Sequence, residues 1–152
     1  MESSQGAFVG RVREEYVSIL MDIFTSCFSK TDFAFPQTNR IAQILWKKYQ
    51  GAPEFLWEDT PGCGVFRNQK TKKWYAIIME LDYSKLDDTH SGKVEIMNVK
   101  IEPDSLSGLL KQKGVFEAYH MNKKNWITFV LDDTLTDDEI SRLIDQSYRL
   151  VS

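Results

Sequence analysis

Eight consecutive residues, Tyr119-His120-Met121-Asn122-Lys123-Lys124-Asn125-Trp126, combine two aromatic rings, an imidazole and two ammonium groups. A second basic run, Lys70, Lys72 and Lys73, leads directly into Trp74. Lysines beside flat rings meet phosphates electrostatically and stack on nucleobases. Lys72, Lys73, Trp74, Tyr119, His120, Asn122, Lys123, Lys124 and Trp126 therefore form the candidate set for binding nucleic acid or another ligand. The plainer account is that lysines are common in exposed turns and that aromatics fill strands.

His120 could move a proton only with an orienting carboxylate and a reacting partner in hydrogen-bond reach, and no Ser-His-Asp or Cys-His order is discernible. No catalytic residue is assigned and an enzyme is not expected. His90 falls in a polar loop and is expected to be solvated. The acidic residues Asp132, Asp133, Asp137, Asp138 and Glu139 lack the EF-hand spacing, and the last three have a use at a helix start. Gly62 and Gly64 are not followed by Gly-Lys-Ser or by a helix start, so no phosphate loop is read there. Neither a metal nor a cofactor is expected.

The elements that would position these groups follow from periodicity. Val12, Tyr16, Ile19, Leu20, Ile23, Phe24 and Cys27 recur at spacings of three and four, one stripe of a helix. A second amphipathic stretch carries Ile41, Ile44, Leu45, Lys48 and Tyr49 and stops at Gly51 and Pro53. The period then changes to two. A strand over Val65–Arg67, a turn over Asn68–Lys73 and a strand over Trp74–Leu81 read as a hairpin. Alternation assigns Tyr75, Ile77, Met79 and Leu81 to one face of the second strand, with Trp74, Ala76, Ile78 and Glu80 on the other.

After a polar loop over Asp82–Lys93, a strand is predicted over Val94–Ile101 and a short helix over Ser105–Lys113, with Gly114 just beyond it. Strands over Val115–Met121 and Trp126–Leu131 then leave a four-residue link, Asn122–Asn125. Alternation puts Trp126 with Thr128 and Val130, on the face opposite Ile127, Phe129 and Leu131. That face is expected to be partly open, with Trp126 on it. Thr136 and Glu139 form a capping box for a last helix, Leu135 and Ile140 a hydrophobic staple, and Ile140, Leu143, Ile144 and Val151 its buried stripe.

This order predicts an α+β fold, an antiparallel sheet with helices packed on one face. A single domain over residues 1–152 is expected, with 1–52 as an N-terminal helical part and 53–152 as the sheet and C-terminal helix. A length of 152 residues suffices for one core without disulfides. A net charge of -3 argues against a protein that coats nucleic acid or anionic membrane over its whole surface, and allows a local basic patch. Cys27 and Cys63 lie far apart and outside any CxxC pair, so reduced thiols are expected. Neither a secretory h-region nor an apolar run of about 20 residues is present, so a cytoplasmic location away from membranes is expected.

Residues 65–151 resemble the MmcQ/YjbR family. The resemblance is carried by Val65-Phe66-Arg67, Lys73-Trp74-Tyr75-Ala76, Val99-Lys100 with Pro103, the run from Tyr119 through Trp126-Ile127-Thr128, and Ser147-Tyr148 with Leu150-Val151. It implies a fold like that of the bacterial frataxin CyaY, and DNA binding through two wing-like hairpins. Two readings follow from the residues and the resemblance together. One is a DNA-binding module working through the basic turns, and the other is a protein-interaction or small-ligand module using the same sheet face.

Overall fold

The computed structural model describes residues 33–60 and 62–152. The predicted helix over residues 12–27 lies outside them. Helix α1 (Pro36–Tyr49) opens with a proline at its first position, where no amide hydrogen is required, and has left-handed Gln50 at its C-cap (φ 57°). Five strands follow: β1 (Gly64–Arg67), β2 (Trp74–Asp82), β3 (Lys93–Lys100), β4 (Val115–Glu117) and β5 (Trp126–Val130). They form one antiparallel sheet in the order β1-β2-β3-β5-β4. Between β3 and β4 the chain makes a 3-10 turn at Pro103–Ser105 and the short helix α2 (Leu106–Leu109), where the sequence predicted one helix over Ser105–Lys113. The prediction's Gly114 does adopt a left-handed conformation (φ 88°), and a Cβ there would meet the Thr134 methyl at 2.9 Å.

Helix α3 (Asp137–Leu150) begins as read from the sequence. The Thr136 hydroxyl accepts from the Glu139 amide at 3.1 Å, and the Glu139 carboxylate accepts from the Thr136 amide at 2.9 Å. Helices α1 and α3 pack on one face of the sheet. Ile41, Ala42 and Leu45 from α1 and Ile140, Leu143 and Ile144 from α3 close over Phe66, Ile78, Met97, Val99, Ile127 and Phe129. This helix face holds the main core, an α+β arrangement.

Two contacts fix the helices on this face. The buried Glu95 carboxylate on β3 accepts from the Ala34 and Phe35 amides at 3.1 and 2.9 Å, tying the start of α1 to the sheet. Ser147 on α3 is fully buried. Its hydroxyl donates to the Tyr75 carbonyl at 2.6 Å and accepts from the Lys100 amide at 2.9 Å, bridging β2 and β3.

Simple alternation fails at the start of β2. Phe66 pairs with Ala76 while Arg67 pairs with Trp74, so Tyr75 is an extra residue in the ladder, a β-bulge. The bulge turns Tyr75 toward the helices, where its ring packs against Phe66, Tyr49 and Tyr148. Ile77 stays on the opposite face with Trp74. The expected grouping of Tyr75 with Ile77, Met79 and Leu81, and of Trp74 with Ala76 and Ile78, is therefore corrected by a one-residue irregularity.

Candidate nucleic-acid interface

The strand register decides where the two basic turns lie. Trp74 of β2, Lys100 of β3 and Trp126 of β5 all sit at one end of the sheet. The β1–β2 turn, Asn68–Lys73, and the connection from β4 to β5 both emerge there, flanking Lys100 at the end of β3. Strands β2 and β5 are two strand spacings apart, about 10 Å. At the other end lie Asp82 closing β2, Asp87 and Asp88 in the β2–β3 connection, and Asp132 and Asp133 after β5. Lys85 and Lys93 lie among these carboxylates, while five lysines stand in the two turns at the opposite end, which is how a chain of net charge -3 still presents a local basic patch.

Each turn is held by an asparagine. Asn68 Oδ1 accepts from the Lys70 and Thr71 amides at 2.8 and 3.0 Å, and Asn122 Oδ1 accepts from the Lys124 and Asn125 amides at 2.8 and 3.2 Å. These side-chain bonds stand in for backbone turn bonds and fix the loop before any ligand arrives. The first turn closes through Asn68 N to the Lys73 carbonyl at 2.9 Å, with Lys72 left-handed (φ 65°). Lys70, Lys72, Lys73, Lys123 and Lys124 are all exposed. Lys123 Nζ donates to the Ala118 carbonyl at 2.7 Å, folding that side chain back over its own loop.

The second connection departs from expectation. Strand β4 ends at Glu117, and Ala118–Asn125 is the link, twice the predicted length. Instead of continuing as a strand to Met121, the chain crosses the sheet face opposite the helices. The Tyr119 amide donates to Thr128 Oγ1 at 2.8 Å, the Tyr119 carbonyl accepts from Asn98 Nδ2 at 3.2 Å, and Thr128 Oγ1 donates to Asn98 Oδ1. Left-handed His120 (φ 62°) turns the strap. Its consequence is that Trp126 packs with Cys63, Val65, Ile77 and Ala118, with Met121 against them, and is only 8% exposed. The expected open face with Trp126 on it is corrected: the strap covers that ring, and Trp126 cannot stack a ligand base.

Of the remaining candidate residues, Lys72, Lys73, Asn122, Lys123 and Lys124 belong to the basic end and are exposed, with Trp74 half-buried beside them. Tyr119 and His120 are in contact, rings 4.1 Å apart, and line a different feature. This is a groove of about 860 Å³, with Cys63, Met79 and Leu81 among its apolar walls and Lys85 at its margin. Burial pushes the Cys63 thiol's pKa up, which keeps it protonated and a poor nucleophile. Sequence reasoning missed Asn68 as a turn anchor, Lys100 as the cation between the turns, and the apolar run Phe55, Leu56 and Trp57. Asn followed by polar residues between two strands was the available signal for Asn68.

The family model named YjbR matches residues 47–150, more than half of the chain. The chain belongs to the YjbR family. The match covers the whole sheet, both basic turns and α3. YyaQ of Bacillus subtilis, an uncharacterized protein, is 36% identical over 104 residues, covering 68% of this chain and 88% of YyaQ. A Pseudomonas syringae protein solved by crystallography is 34% identical, with a TM-score of 0.73 over 78% of this chain and 100% of its own. A Deinococcus radiodurans protein at 21% identity and TM-score 0.53, covering 75% of each chain, shares the fold. Among the described residues no helix is long and apolar enough to cross a membrane.

Proposed function

We propose that this YjbR protein is a non-enzymatic, cytoplasmic binding module for nucleic acid, gripping the phosphate backbone with the two asparagine-held basic turns. The observation that carries the reading is their placement at one end of one sheet, on either side of Lys100. Two cationic loops on the same end of one sheet, each held in shape by its own side-chain hydrogen bonds, meet a polyanion with little ordering cost. Fluorescence anisotropy with labelled DNA across a salt series tests it. Binding should be measurable at low salt and fall linearly in log K against log salt. No binding at tens of micromolar protein in low salt would end the reading.

A second reading has its own observation, the groove beside Tyr119 and His120. There the same module would take a small apolar ligand or a protein segment. Ligand binding of this kind would persist at high salt, whereas phosphate binding would not. A thermal-shift screen at two salt concentrations separates the two.

A further inference from the structure

Among the described residues, large apolar side chains exposed beyond a third are concentrated in one tripeptide, Phe55, Leu56 and Trp57, at 43%, 43% and 39%. This segment follows Glu54, whose amide and carbonyl each bond Val65 at 2.9 Å on the outer edge of β1. The Trp57 ring meets Trp74 edge-on, centroids 6.0 Å apart at 88°. The Arg67 guanidinium lies 5.8 Å from the Trp74 centroid, and its Nη1 reaches the Lys72 carbonyl at 3.5 Å. A continuous chain of contacts therefore runs from an exposed indole to the first basic turn. Met121 of the strap packs in the same cluster as Trp74, joining the platform to the second turn.

We propose that this platform binds single-stranded nucleic acid, with Trp57 stacking an unpaired base while the lysine turns take the neighbouring phosphates. The inference rests on the nucleic-acid reading above and specifies its substrate class. A duplex keeps its base faces inside its own stack, so only an unpaired base can lie on the indole. Arg67 occupies the space over Trp74 and is held by Glu54 at 3.1 Å, which leaves Trp57 as the accessible indole of this pair. Exposed indole beside lysines is also the pairing that makes binding tolerant of sequence, since every base has a stacking face.

Three probes test it on the full chain: a single strand of about 12 nucleotides, the same strand with abasic sites, and the matched duplex. Trp57→Ala should weaken single-strand binding roughly five- to 150-fold, leave abasic and duplex binding unchanged, and keep the salt slope. Trp57→Phe should restore most of the loss. If Trp57→Ala binds the single strand like the parent while Lys123→Glu with Lys124→Glu weakens all three probes, the basic-end reading stands and the stacking inference falls. If Trp57→Ala weakens all three equally, Trp57 acts on the turn rather than on a base, and the inference also falls. A charge reversal without effect on any probe overturns the nucleic-acid reading, and the inference with it.

Discussion

The two basic turns use the same device in different surroundings. Asn68 is 3% exposed, and beyond its two turn amides its Nδ2 donates to Ser152 Oγ at 3.1 Å, while Thr71 Oγ1 donates to the Val151 carbonyl at 2.6 Å. The first turn is therefore fastened to the end of α3 and belongs to the core. Asn122 is exposed, and the bonds its side chain makes stay within the strap, although the neighbouring Asn125 carbonyl accepts from the Ile101 amide after β3 at 2.8 Å. The second turn's asparagine is therefore tied less deeply into the fold than the first. One local motif thus serves stability in one place and leaves the other free for presenting charge.

Asn68→Ala should give the largest effect on stability, because it removes a buried side chain that holds two turn amides and reaches Ser152 at the end of the chain's last helix. A loss of about 2–4 kcal/mol by chemical denaturation is expected. Asn122→Ala should cost about 1 kcal/mol or less, since water replaces the lost acceptor. Equal losses at the two positions would erase the distinction drawn between the turns.

Cys63 and Trp126 sharpen the contrast between the strap and the turn it carries. Thr128→Val removes the acceptor of the Tyr119 amide and the donor to Asn98, from a network in which Asn98 and Thr128 are fully buried. A cost of about 1–3 kcal/mol is expected, with Trp126 fluorescence shifting to the red as the strap lifts. An unshifted emission spectrum in a destabilised variant would mean that the strap is not what covers the ring.

The acidic end supplies a control of smaller size. The Arg40 guanidinium, hydrogen-bonded to Asp137 at 2.8 Å, holds the Asp137 carboxyl below the usual carboxylate range, with Gln37 adding to this against the opposing effect of burial. A depressed carboxyl stabilises the fold above the unfolded-state value near 3.9 and loses that contribution as pH falls through the folded value. Arg40→Met should therefore flatten the acid side of the stability curve below about pH 4. Nucleic-acid binding at neutral pH should hardly change, because Arg40 is far along the strands from the basic turns. A strong loss of binding would place the interface elsewhere.

What was legible in the sequence follows a physical divide. The capping box of α3, the stripe of α1 and the strand β5 rest on local spacing, and local spacing is written in sequence. The basic turns were found for the same reason. The bulge at Tyr75 was not, because the extra residue is decided by how Phe66 and Ala76 pair across strands. Nor was the strap: Val115–Met121 alternates well enough for a strand, and only the Asn98, Thr128 and Tyr119 network shows why the chain leaves the ladder after Glu117. Trp126 was misplaced as a consequence, since exposure depends on what crosses above a ring. Trp57 was overlooked because a tryptophan between Pro53 and Pro61 has no periodicity to mark it.

The account's central claim is that both turns touch one polyanion, and the salt dependence of DNA affinity measures this most directly. Lys72→Glu with Lys73→Glu should leave the melting temperature nearly unchanged, as exposed substitutions usually do, and Lys123→Glu with Lys124→Glu should lower it only slightly through the lost Lys123 bond to the Ala118 carbonyl. Each pair should flatten the slope of log K against log salt by up to about 0.9 per lost phosphate contact on duplex DNA, or 0.7 on a single strand. Reduced slopes in both variants are the predicted result. An unchanged slope in either pair, with the fold intact by circular dichroism, would remove that turn from the interface and contradict the claim.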